Sequence, residues 1–193
     1  MIFRKEWLAL DDDQFAILTM LTEKGEFKGT INDICDYLNR SVTSRKKKKI
    51  KRTIQSLFEQ DLITYELIDG VYSINIISKG EEILIRDNWI NFERLRKGDF
   101  SVSVSWTKIL KVLIWLENNG NVEMTNSQIV LDTRMSETSV TNAKKVLIND
   151  YKVLLIDYTY YPVENGVIRR KGQIPQLNAW SSTPAEKVQK YLE

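Results

Sequence analysis

Apolar residues recur every three to four positions in two stretches of the chain, and the two stretches superpose without a gap. "FAILTMLTEKGEFKGTINDI" (15–34) lies above "LKVLIWLENNGNVEMTNSQI" (110–129) at a constant offset of 95 residues. The match pairs Ile17 with Val112, Leu18 with Leu113, Leu21 with Leu116, Gly25 with Gly120, Phe27 with Val122, Thr30 with Thr125 and Ile34 with Ile129. The period predicts amphipathic helices, and the fixed offset predicts a duplicated structural unit. Each first helix carries its stripe on Phe15, Leu18 and Leu21, or on Leu110, Leu113 and Leu116, and a glycine stops it.

The same order continues in both copies. Asp11 with Gln14 marks the start of the first helix, and Thr30 with Asp33, or Thr125 with Gln128, marks the start of the second. At this spacing the cap oxygen and the later side chain satisfy N–H groups that a first helical turn leaves unpaired. The second helix of the first copy is expected to bury Ile31, Ile34, Cys35 and Leu38. A third helix follows on Ile50, Ile54 and Leu57, or on Val140, Ala143 and Leu147. Its offset drops to 90 because the first copy holds five more residues just before it. Both copies close in a hairpin: "ITYELI" and "VYSINI" flank Asp69-Gly70, while "LLIDYTYY" and "VIRRKGQ" flank a turn containing Asn165-Gly166. Asx-Gly pairs supply the positive φ angles of tight hairpin turns. The expected class is α+β, mainly α.

Composition removes most chemistry. The 193 residues, 42% of them apolar, suffice for one large core or two small ones. No apolar run is long enough to span a bilayer, and "MIFRKEWLALDDD" lacks the basic-then-apolar layout of a secretion signal. A cytoplasmic location without a membrane partner is the expectation. There is one cysteine and no histidine, which excludes a disulfide framework, Ser-His-Asp and Cys-His catalysis, and imidazole metal ligands. No Gly-rich phosphate loop with a following lysine occurs. Asp11, Asp12 and Asp13 precede an amphipathic helix and read as capping and helix-dipole residues in preference to metal ligands. Neither catalysis nor a cofactor is expected.

Charge adds the one loud feature. The net charge is only +2, yet "SRKKKKIKRT" (44–53) is basic at seven of the eight positions from Arg45 to Arg52. With Ile50, Ile54 and Leu57 turned to a core, a step of about 100° per residue sets Arg45, Lys48, Arg52 and Gln55 opposite it. Lys49 and Lys51 flank that stripe. Lys46 and Lys47 fall near the core side, so they are expected in a frayed first turn or before it. No acid follows until Glu59, and such like-charge crowding points to an anionic partner.

Three helices and a hairpin in this order resemble a winged helix, the helix-turn-helix variant with a β-ribbon appended. "KKIKRTIQSLFEQDLI" is similar to the recognition-helix segment of that superfamily, and the resemblance covers residues 5–77 and 103–174. It implies two tandem winged-helix domains, at 1–78 and 103–175, joined by a connector at 79–102 and followed by a tail at 176–193. Two such units in one chain resemble plasmid and phage replication initiators. The resemblance implies double-stranded DNA as ligand and host replication proteins as further partners. A transcriptional regulator on an operator is the first alternative, and a structural module gripping protein partners is the second.

In this family the third helix enters the major groove, where arginine forks onto guanine, glutamine onto adenine and lysine meets phosphate. The candidates in the first copy are Arg45, Lys48, Lys49, Lys51, Arg52 and Gln55. A merely solvated face, or a surface for RNA or acidic protein, is the alternative. The second copy offers Thr138, Thr141, Asn142 and Lys145, which also fit an ordinary polar surface. The first wing has Glu66 and Asp69 and no basic residue. The second carries Arg169, Arg170 and Lys171, suited to phosphate or to the minor groove, or else to guarding an edge strand.

The connector holds Ile83, Ile85, Trp89, Ile90, Phe92 and Leu95, too apolar for a floppy linker, with Arg94, Arg96 and Lys97 as candidate phosphate contacts. In the tail, Thr183, Pro184 and Glu186 spell a helix start ahead of Ala185, Val188 and Leu192. That stripe is expected to dock on the second domain, with a homodimer as the alternative. The pattern is still running at Glu193, so the natural chain is expected to continue.

Overall fold

The computed structural model describes residues 1–85, 91–119, 126–151, 154–163 and 167–177, the last two ranges by their backbone alone. The chain is α+β and mainly helical, and it divides into two compact units, Met1–Leu84 and Ile85–Glu193.

The first unit is built around α1 (Asp12–Lys24), whose residues from Asp13 to Leu21 are all buried. The helix starts where the sequence predicts. The Asp11 carboxylate accepts from the N–H groups of Asp13 and Gln14 at 2.8 Å, and the Gln14 side chain accepts from the Asp11 N–H at 3.2 Å. It stops at Gly25, which takes φ of +79°. A short strand β2 (Glu26–Gly29) leads to α2 (Ile31–Tyr37), capped by Thr30 and Asp33, and then to α3 (Ser44–Glu59), capped by Thr43. Strands β3 (Ile63–Ile68) and β4 (Val71–Ile76) form the expected hairpin, with Asp69 and Gly70 at φ of +50° and +80°. The sheet runs β2-β4-β3, so β2 joins as a third strand that periodicity did not reveal. Ile31, Ile34, Cys35 and Leu38 of the second helix, and Ile50, Ile54 and Leu57 of the third, all lie in the core as expected.

A second, smaller ribbon closes the unit. β1 (Ile2–Arg4) pairs with β5 (Glu82–Leu84), which comes from the stretch read as connector. A 3-10 helix (Lys5–Ala9) follows β1. The ribbon buries Phe3 and Ile83, and Phe3 stacks on Phe15 with ring centroids 6.2 Å apart. Arg4 is nearly buried and binds Glu82 at 2.6 Å and the Gly80 carbonyl at 3.2 Å.

The second unit holds α4 (Phe92–Lys97), α5 (Trp106–Asn119), α6 (Asn126–Thr133) and α7 (Glu137–Asn149), then a hairpin of β6 (Leu154–Val163) and β7 (Val167–Leu177). The strands run past the predicted ends and include Pro162 and Pro175, which a two-stranded ribbon of edges tolerates. Gly120, the Thr125 cap, the Asn165-Gly166 turn, Trp89, Ile90 and the tail helix fall outside the described residues.

The duplicated pattern has structural counterparts inside each unit. The turn from second to third helix passes through a left-handed residue at the same repeat position, Asn39 with φ of +51° and Arg134 with φ of +54°. The first and third helices are tied at matching positions too, by Asp13 and Lys49 in one unit and by Lys108 and Ser139, 3.2 Å apart, in the other. Core positions also differ between the units. Where the first unit buries Ile54, the second buries Lys144, whose ammonium donates to Asn126 Oδ1 at 2.9 Å.

Candidate nucleic-acid interface

The basic run folds as the first two turns and more of α3. Ile50, Thr53, Ile54 and Leu57 turn inward, and Arg45, Lys48, Lys49, Lys51, Arg52 and Gln55 are all exposed. Lys46 and Lys47 lie in the first turn of the helix, one of the two expected placements, because the Thr43 hydroxyl accepts from the Lys46 N–H at 3.3 Å and fixes the start there. The side chains of Arg45, Lys48, Lys51 and Arg52 have no hydrogen bond or ion pair among the described residues. They form an uncompensated cationic face on a helix without an acid in its first turn.

Two of the predicted contacts are already engaged. The Lys49 ammonium pairs with Asp13 Oδ2, and Arg40 pairs with Asp13 Oδ1. Burial by itself raises the Asp13 pKa, but Lys49 and Arg40 outweigh it and hold the carboxyl below its usual range. The Gln55 amide is spent at both ends: its Nε2 donates to Glu59 at 2.9 Å, and its Oε1 accepts from the Tyr65 hydroxyl at 2.8 Å. Phe58 packs edge-on against Tyr65 with centroids 5.4 Å apart. Together these contacts fasten the end of α3 to the β3–β4 hairpin. Reading adenine through Gln55 requires breaking them.

The β3–β4 hairpin itself is acidic and apolar at its tip, where Leu67 and Ile68 are 50% and 65% exposed beside Glu66 and Asp69. Of the four candidates on α7 in the second unit, Thr138 and Lys145 are exposed. Thr141 is half-buried and accepts from Asn126 Nδ2 at 3.2 Å, while Asn142 donates to the Ser103 carbonyl at 3.2 Å. Arg169 and Arg170 stand in β7 opposite Tyr161 and Tyr160, and a register shift leaves Lys171 as the extra residue between paired positions. Arg94 of α4 lies over the Tyr151 ring, 5.3 Å from its centroid, and Lys97 pairs with Glu93 at 2.8 Å. Burial pushes the Tyr151 phenol up to about 12.

Sequence reasoning missed Asp13, Arg40, Tyr65 and Lys108, all joined to their partners by tertiary contacts. Among the described residues no group of three His, Cys, Asp or Glu side chains is placed to hold a metal ion. No described helix is long and apolar enough to cross a membrane. No protein-family model matches the chain, and no curated protein sequence matches it at a significant level.

Proposed function

We propose that this chain is a non-catalytic double-stranded DNA-binding protein with two tandem winged-helix units, which binds origin repeats to initiate plasmid or phage replication. One observation carries the reading: α3 turns four cations, Arg45, Lys48, Lys51 and Arg52, to solvent away from its buried residues, with no side-chain partner among the described residues. A helix that only needs solvation mixes signs to relieve repulsion, whereas a phosphate lattice rewards a single sign. The order helix, strand, helix, helix, hairpin in the first unit supports the winged-helix assignment. The matched turns and helix ties of the two units support duplication. In the groove, Arg45 and Arg52 would read guanine edges and Lys48 and Lys51 would meet phosphate. Thr138, Lys145 and the Arg169, Arg170, Lys171 strand would supply the second unit's contacts.

Fluorescence anisotropy with a mixed-sequence duplex at several salt concentrations tests this. The native chain should bind with a steep negative log–log salt slope. A variant with Lys48, Arg52, Arg169 and Arg170 changed to Ala should lose several units of it, at about 0.9 per phosphate contact. Absence of binding at the lowest salt would overturn the reading. The exposed Leu67 and Ile68 on an acidic wing favour a second role, contact with protein partners such as host replication factors. Sites recovered as one operator over a promoter, in place of direct repeats, would favour transcriptional regulation.

A further inference from the structure

Beside the outward cations lies a small concavity of about 180 Å³, lined by Asp13, Arg40, Lys46 and Lys49. It is well below the roughly 300–1,000 Å³ of pockets that hold drug-sized ligands, so its dimensions suit a small anion. Three cations face one carboxylate there, and both carboxylate oxygens are taken, one by Arg40 and one by Lys49. Asp13 is 9% exposed at its side chain while Lys49 is 68% exposed, so the carboxylate sits behind and the ammonium projects outward. Among the described residues the Lys46 ammonium donates only to a neutral oxygen, Ser41 Oγ at 3.1 Å, and pairs with no carboxylate. The three cations come from the α2–α3 turn and from successive turns of one edge of α3. Asp13 anchors two of them to α1, so their positions are held by the core and not by solvent.

We infer that Arg40, Lys46 and Lys49 form a phosphate subsite at the start of α3, with Asp13 as the positioning residue that holds Arg40 and Lys49 in place. The ligand chemistry is a tetrahedral phosphate oxyanion, and the occupant is a backbone phosphodiester of duplex DNA. This rests on the DNA-binding reading above and adds two contacts, Arg40 and Lys46, that the outward stripe does not include. Arginine supplies a fork for two oxygens and the lysines supply point charges, the usual division of labour around phosphate.

The test compares salt slopes of duplex binding for the native chain, Lys46→Ala, Arg40→Gln and, as a control on the outward face, Arg52→Ala. Thermal melting of each variant verifies the fold. The slope should fall by about 0.9 in Lys46→Ala and again in the Lys46→Ala/Arg40→Gln double variant. If Arg52→Ala loses slope while Lys46→Ala and Arg40→Gln keep the native value, the subsite is wrong and the DNA reading stands. If the native chain does not bind at all, both fall. A parallel titration with inorganic phosphate at constant ionic strength follows the Lys46 and Lys49 ammonium resonances. A saturable shift with an unchanged duplex slope would assign the site to free phosphate and overturn the backbone assignment.

Discussion

Asp13 sits at the centre of the first unit's polar chemistry. It joins the start of α1 to the α2–α3 turn through Arg40 and to α3 through Lys49. Because its folded pKa is lowered, the stabilisation it provides is fully present above the unfolded carboxylate value, near 3.9 for aspartate. That stabilisation is lost as the pH falls through the lower folded value. We therefore expect the urea midpoint of the native chain to drop more steeply below pH 4 than that of Asp13→Asn. At pH 7 the variant should be less stable by about 1–2 kcal/mol, short of a fully buried pair because Lys49 remains in water. Tyr65→Phe should cost only about 0.5 kcal/mol, read by urea unfolding, because the Gln55 carbonyl oxygen is exposed and returns to water. None of these pairings is visible in the sequence, where Asp13 and Lys49 stand 36 positions apart without a periodic signal. The exposed face of α3 was visible, because three apolar residues at helical spacing fix the angles of all the others.

Local chemistry made the helices readable. Asp11 with Gln14, Thr30 with Asp33 and Asp69-Gly70 each satisfy or bend the backbone within four residues, and all three appear as expected. The short strands were not readable. β1 and β5 have three residues each and pair across some eighty positions, so neither alternation nor a turn announces them. β2, at four residues, passes for the loop after a helix. Lys144 escaped for another reason: its position reads as polar in a helix whose apolar face seemed complete with Val140, Ala143 and Leu147. The Asn126–Lys144 bridge stands at repeat positions that hold Ile31 and Ile54 in the first unit. Replacing both by Ile should be less destabilising than the sum of the single replacements. A double-mutant cycle on thermal unfolding measures that coupling.

The first unit extends beyond its β3–β4 hairpin. A fragment of residues 1–84 retains the β1–β5 ribbon, whereas one of residues 1–78 uncovers Phe3 and loses Ile83. The shorter fragment should melt lower and bind a hydrophobic dye, and equal melting of the two would refute the structural role given to the ribbon. The matching turns of the two units offer something that engineering can use. Both copies bend through the same left-handed residue, but asparagine tolerates that conformation and arginine does not do so readily. The second unit makes its bend with the residue less suited to it. Arg134→Asn should therefore raise stability by up to about 1 kcal/mol, with the reverse exchange at Asn39 lowering it, each checked by the melting temperature. A stabilising substitution for one unit is thus already written in the other.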